Sequence, residues 1–529
     1  MRRSACFLLA ALLCCAAVPA LAAKVVPRWD MTDFTLRSDR PYANPFRDIE
    51  VFADFTGPDG ARRTVRAFYD GGDVWRIRFM PDLEGEWTAL TRSEPTDPGL
   101  HGKRLELRCG PPKSKGPLRA DPDYPRHLIY ANGDDFFHLG DTVYNLFGGK
   151  VTDAQAVEFI RDAADWRINK FRVLVWNWGV DNDIPLRVVG GIADPDRFDL
   201  LYYRRVERLL SEMRRCGIHA GLILRVGLRK AERTKSAVTL SDAQMDVYFR
   251  YTIARLAAFD NVYWELDNEY GHPSHHVGSL ENLERCAKLV RAEDPYDHPV
   301  TSSACCRLPQ ETQRLPYLEF ALFHGKFRDN VKGDHDTMLR MRNNLLKGIV
   351  KPIIHDEIAY EQKLEALSFA ANGTKPAFIR RQAWANYLAG AYWTYGAAPD
   401  RWAGLLNKVH VDPRKDGELA RFEYDESAFR WFPHIAAFFE DVPYWRMESH
   451  DDFVSPGGNF CLAEEGREYV VQLPTGGAVE VRLGGPGPYD ARWYDPRNGE
   501  FQSIGTVAAG ARAFTAPDQN DWILHLRKQ

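Results

Sequence analysis

Residues Asn261–Gly271 read NVYWELDNEYG. Val262, Tyr263, Trp264 and Leu266 form a β-like run, yet Asp260, Glu265, Asp267 and Glu269 put four carboxylates in or beside it. Seven other segments share the strand-like texture: Phe136–Thr142, Asn169–Asn177, Ile218–Val226, His298–Ala304, Leu318–Gly325, Lys351–Glu357 and Gly390–Gly396. Helical patterns separate them, such as AQAVEFIRDAADW and YYRRVERLLSEMRRCG, the latter closing on Cys216-Gly217 like a C-cap. Eight strands with helical spacers predict a (β/α)8 TIM barrel over residues 118–445. A doubly wound sheet normally needs fewer strands, and no phosphate loop or dinucleotide fingerprint follows the first.

At 529 residues the chain exceeds one core. Residues 24–110 alternate in short runs such as Val74-Trp75-Arg76-Ile77-Arg78-Phe79, punctuated by Gly-Pro-Asp-Gly and Asp-Gly-Gly-Asp, which predicts an N-terminal β-sandwich. PPKSKGP, residues 111–117, reads as an exposed linker, and 446–529 as a second, smaller β-sandwich. Residues 1–23 carry Arg2 and Arg3, an apolar run from Phe7 to Val18 and an Ala20-Leu21-Ala22 cleavage pattern, the marks of a signal peptide on an exported protein. No later run is long enough for a membrane span. The formal charge of −4 gives no electrostatic case for nucleic acid. Six cysteines follow the leader without a C-x-x-C, so no zinc or thioredoxin-like site is expected.

In such a barrel, function gathers where the strands end. The fourth strand ends Asp267-Asn268-Glu269 and the seventh His355-Asp356-Glu357, with Glu357 88 residues (357 − 269) after Glu269. Strands four and seven face each other across a barrel mouth. Two carboxyls meeting there are the equipment for glycoside hydrolysis, one protonated to donate to the leaving oxygen, one ionised to attack or to activate water. Asp267 and Asp356 give each strand end a second acid, so a one-residue shift would change the assignment.

HLIYANGDDFFHLGDTVYNLF, followed by WELDNEY and IIHDE, resembles the apiosidase-like family within the large clan of retaining (β/α)8 glycoside hydrolases. FYDGGDVWRIRFMPDLEGEW resembles the small sandwich that often precedes such barrels, and PYDARWYDPRNGEF the collagen-binding-type sandwich that often follows. The resemblance implies Glu269 as acid/base, Glu357 as nucleophile, Asn268 at the sugar 2-hydroxyl and Trp393 as a sugar platform. It also implies a complex, plant-type polysaccharide as substrate, with no cofactor.

Other candidate sugar contacts at strand ends are Asp141, His324, Arg225, Trp176, Asn177, Trp178 and His355, the last sharing strand parity with Glu357. Each has a plain alternative in salt bridging, capping or packing. Glu265, deeper in its strand, reads as a buried polar partner. His272, His275 and His276 have no regular metal-ligand spacing, and no metal is expected. The segment Val180–Phe198 reads as a long mobile rim. Two rivals remain: a non-catalytic glycan- or matrix-binding protein on a barrel scaffold, and a polysaccharide lyase, which would need a Tyr, His or Lys base.

Overall fold

A computed structural model describes residues 24–149, 151–176, 184–226, 240–270, 279–305, 310–324, 330–360, 376–397 and 428–529. The leader, Asn177, Trp178 and the histidines 272, 275 and 276 lie outside these ranges.

The centre is a parallel barrel. Its strands are β1 (Leu139–Thr142), β2 (Lys170–Leu174), β3 (His219–Val226), β4 (Val262–Asn268), β5 (Val300–Thr301 and Ser303–Cys305), β6 (Ala321–His324), β7 (Ile353–Tyr360) and β8 (Tyr392–Ala397). Consecutive strands pair in parallel, and β8 returns to β1 with Leu139 beside Trp393. β5 breaks at Ser302: its first half pairs with β4 and its second with β6, so the ring closes across the break. All eight expected strands are present. Helices lie between them, and Leu200–Arg215 ends at Cys216 with Gly217 at φ 73°, a left-handed position that glycine adopts without strain.

Period-two alternation sends one row of each strand inward and the next toward the helices. The inward row is unusually polar. Lys170, Arg172, Glu265, Asp356 and Thr394 are all fully buried, where such barrels ordinarily hold branched aliphatics. Gly140 leaves the room: a Cβ there would sit 2.9–3.0 Å from His138, Thr394 and Lys170 side-chain atoms.

Two sheets, of five and three strands, form the N-terminal sandwich. Gly85–Glu94 buries every second residue, and Phe55 stacks on Phe79 at 3.8 Å in the core between the sheets. This sandwich is bolted to the barrel by charge: Arg78 meets Glu207 at 3.0 Å, Arg255 meets Asp70 at 3.2 Å, and Arg66 meets Glu293 at 2.7 Å. Residues 111–113 are exposed, but the rest of that stretch is no free tether. Ser114 Oγ donates to Asp260 at 2.6 Å, and Gly116 and Pro117 are buried. A three-stranded floor (Leu118–Ala120, Leu128–Tyr130, Asp135–Phe136) leads into β1, so Phe136 belongs to the floor and not to the barrel strand.

The C-terminal region is a six-stranded antiparallel sheet. Its long hairpin, Ala478–Asp495 with Glu500–Thr515, shifts register between Leu483 and Pro488, and residues from both sides of that bend share one core. Arg380 of the helix Pro376–Leu388 pairs with Asp521 at 2.6 Å in a buried contact that docks this sheet on the barrel. The segment read as a rim holds a hairpin, Leu186–Val189 with Ile192–Phe198, turned by Gly190-Gly191, both at positive φ. Two consecutive left-handed residues match the twist of the flanking strands.

Candidate active site

Glu269 follows β4, Glu357 lies within β7 and His324 ends β6. One oxygen from each glutamate and a ring nitrogen of His324 lie within 4.8 Å of one another. His324 Nδ1 is 3.3 Å from Glu357 Oε2 and 3.5 Å from Glu269 Oε1, between the two carboxyls. Both glutamates have left-handed backbones, with φ of 54° at Glu269 and 52° at Glu357. Non-glycine residues there carry local strain that the surroundings must impose, and such strain clusters at functional sites.

The strain at Glu357 has a geometric reason. Asp356 points inward, 3.0 Å from both Lys170 and Arg172. Strict alternation would turn Glu357 outward. Instead the pairing of β7 with β8 shifts register between His355 and Ile358, and two successive acids share the interior face. This bulge overturns the parity expected for His355. Its Nδ1 meets Asn386 Oδ1 at 2.8 Å on the helix Pro376–Leu388, outside the barrel, so His355 is a structural residue. Burial pushes its pKa down to about 4.

Partners distinguish the two acids at each strand end. Burial opposes ionisation of Asp356, but Lys170 and Arg172 overcome it and hold the carboxyl well below the usual range. Asp267 forms a two-pronged ion pair with Arg225, which also donates to Asn282. Arg225 is therefore occupied in propping Asp267 and is not a free sugar contact.

Arg172 is the hub. Its guanidinium contacts Glu265 (Nε to Oε2, 2.9 Å), Glu357 (3.1 Å), Asn268 Oδ1 (2.6 Å) and Ser303 Oγ (3.0 Å). Tyr144 adds a hydroxyl whose one proton goes to Glu357, and the same oxygen lies 3.3 Å from Asn268 Oδ1. The charged Arg172 donor on Oδ1 fixes the orientation of the Asn268 amide. Its Nδ2 has no partner among the described residues and is left to bind an incoming group. Ser303 Oγ accepts from Glu269 N at 2.8 Å and donates to Asp267 O at 3.1 Å, gripping the left-handed residue by its peptide. Tyr144, Arg172, Lys170 and Ser303 were not singled out from sequence. The signal was present in KFRVL, where Lys170 and Arg172 occupy alternate positions of a buried strand.

Two further expectations, Trp393 and Asp141, come out differently. Trp393 is completely buried and packs edge-on against Phe432 at 5.4 Å. Thr394 beside it faces the interior with Lys170, so alternation sends Trp393 outward, and it is not a sugar platform. Asp141 is buried in the row shared with Phe171 and Tyr395, and it accepts from Thr142 N at 2.8 Å. Phe171 stacks on Phe159 of a flanking helix, which marks that row as outward-facing. Trp176 is half-buried against Tyr248 at the end of β2.

The family described as "Apiosidase-like, catalytic domain" matches residues 123–405. A domain of unknown function matches residues 25–94, and the description "Putative collagen-binding domain of a collagenase" fits residues 454–527. No curated protein matches the chain. Among solved structures, one described as a putative glycoside hydrolase from Bacteroides vulgatus is 20% identical with a TM-score of 0.79, covering 96% of this chain and 100% of that one. A glycoside hydrolase family 5 protein from the same organism is 18% identical at a TM-score of 0.64, covering 78% and 94%. At these identities the likeness speaks for the fold. The family match spans more than half the sequence and contains both glutamates, so the chain belongs to the apiosidase-like family and is glycoside hydrolase-like in function.

Proposed function

We propose that this protein is an exported, retaining glycoside hydrolase that works by double displacement, with Glu357 as nucleophile and Glu269 as acid/base. The observation that carries this reading is the approach of the two glutamates to within 4.8 Å at the mouth of the barrel. Retaining enzymes hold their carboxyls ~5–5.5 Å apart, whereas inverting ones leave ~6.5–9.5 Å for a water. Two donors, Arg172 and Tyr144, address one oxygen of Glu357, which suits an ionised nucleophile. In the first step a Glu357 oxygen bonds to the anomeric carbon as the glycosidic C–O bond breaks, and Glu269 gives its proton to the departing oxygen. In the second, water loses a proton to Glu269, attacks the anomeric carbon and frees Glu357. The Asn268 amide, held from behind by Arg172, donates to the neighbouring sugar hydroxyl.

The substrate is a complex plant-type polysaccharide, with terminal apiosides the leading choice from the family match. The leader pattern in residues 1–23 supports the export part of this reading. The test is a panel of pectic and hemicellulosic glycans and aryl glycosides, with NMR of the first-formed anomer. Retention is expected, and Glu357→Gln and Glu269→Gln should each abolish release of sugar. Glycan affinity with no release dependent on either glutamate would favour the binding-protein reading. An inverted anomer would end double displacement.

A further inference from the structure

We propose that Glu269, His324 and Glu357 form a three-donor site for a zinc-type divalent cation, and that an ion held there competes with the glycan. Only the competition rests on the glycosidase reading.

Distances carry the site. Ligands about 2.0–2.1 Å from a tetrahedral ion lie about 3.3–3.4 Å from one another. His324 Nδ1 stands 3.3 Å from a Glu357 oxygen and 3.5 Å from a Glu269 oxygen. Both edges therefore fit one tetrahedron without moving the histidine, and its fourth corner remains for water. The glutamate–glutamate edge, within 4.8 Å, closes by a small rotation of either carboxyl.

A second, independent observation comes from His324 itself. Its side chain is 4% exposed, and neither ring nitrogen has a hydrogen-bond partner among the described residues. A buried imidazole with no hydrogen bond at either nitrogen is unusual, since buried polar groups are nearly always satisfied. The nitrogen facing the two carboxyls is where a cation would take a ligand.

Charge agrees with geometry. Among the described residues, Lys170 and Arg172 face Glu265, Asp356, Glu357 and, beyond His324, Glu269, a formal excess of two negative charges when all four acids are ionised. The adjacent Arg225–Asp267 pair is balanced. One divalent ion neutralises that excess. The donor set also selects the ion: one nitrogen and two carboxylates suit zinc, whereas calcium and magnesium demand six or more oxygens. The ion would occupy the two carboxyls that the glycosidic reaction requires, hence the competition.

The experiment uses the full chain, stripped with chelator and then dialysed against zinc chloride, with bound metal quantified and cobalt substituted as a spectroscopic probe. Expected are one zinc per chain, the visible absorption of tetrahedral cobalt, and uptake at least ~10–100-fold weaker in His324→Ala. Glu269→Gln serves as a second variant should the first not fold. Zinc should raise KM and leave kcat unchanged, and a triple alanine variant of His272, His275 and His276 should bind as the parent does. Undiminished binding by His324→Ala, loss of binding in the triple variant, or stimulation of hydrolysis by zinc would each overturn the proposal. If both Glu→Gln variants still hydrolyse glycans while His324→Ala loses zinc, the cation site stands and the catalytic roles given to Glu269 and Glu357 fall.

Discussion

Replacing Ser303 by alanine probes how the acid/base is held. The hydroxyl has one donor and two acceptor positions and uses all three, toward Asp267 O, Glu269 N and Arg172. The Arg172 bond is charge-assisted, worth ~1.5–3 kcal/mol, and the two peptide bonds ~0.5–1.5 kcal/mol each. Arg172 keeps its contacts to Glu265 and Asn268, so the low end applies and Ser303→Ala should lose about 3 kcal/mol of stability in urea unfolding. The larger effect is on rate. Glu269 sits at φ 54°, a conformation worth ~1–3 kcal/mol of strain, and its N–H is tied to Ser303. Without that tie the residue relaxes toward the extended region and carries its carboxyl with it. A displacement of ~1 Å at a reacting group lowers turnover ~100-fold. Initial rates on the glycan identified by the panel should show that fall in kcat with little change in KM, and Ser303→Thr, which keeps the hydroxyl, should recover most of it. An alanine variant destabilised as expected yet turning over at the parent rate would refute the role given to Ser303.

Trp393→Ala should destabilise the fold by ~3–5 kcal/mol in urea, as expected for emptying a buried aromatic site, and leave KM for glycan unchanged. His127, His219 and His355 are buried with pKa values pushed down to about 4, so the unfolded chain takes up protons before the folded one as pH falls. Stability present above pH ~6.5 should therefore drop by ~1.4 kcal/mol per unit for each histidine between there and pH ~4, which urea midpoints at pH 7 and pH 5 would show. Chelator treatment of enzyme prepared without added metal should leave hydrolysis rates unchanged, because the double displacement is carried by carboxyls alone.

The eight strands were legible because each is a short apolar run between helical patterns, and Glu269 and Glu357 because they end strands that must face each other. What sequence hides is orientation. Counting in twos places His355 in the cavity, and the bulge at Glu357 breaks that count. Trp393 was carried over by resemblance, although its neighbour Thr394 takes the interior position. The polar interior was half visible. Glu265 was recognised as a buried partner, but its counter-ion, Arg172, lies 93 residues earlier and is joined to it only by barrel closure. Gly190-Gly191 does signal a two-residue hairpin, and the rim reading passed over it.

The ion pairs between the first sandwich and the barrel bear on how this chain can be handled. Glu207, Arg255 and Glu293 are covered in the intact protein by partners from residues 24–110. A barrel produced by trimming at PPKSKGP would keep the Glu207–Arg255 and Arg250–Glu293 pairs but lose these outer partners, and would uncover Tyr251, which packs against Phe46 and Phe68. The smallest piece that behaves well should therefore be the sandwich and the barrel together, one folding unit despite its two architectures.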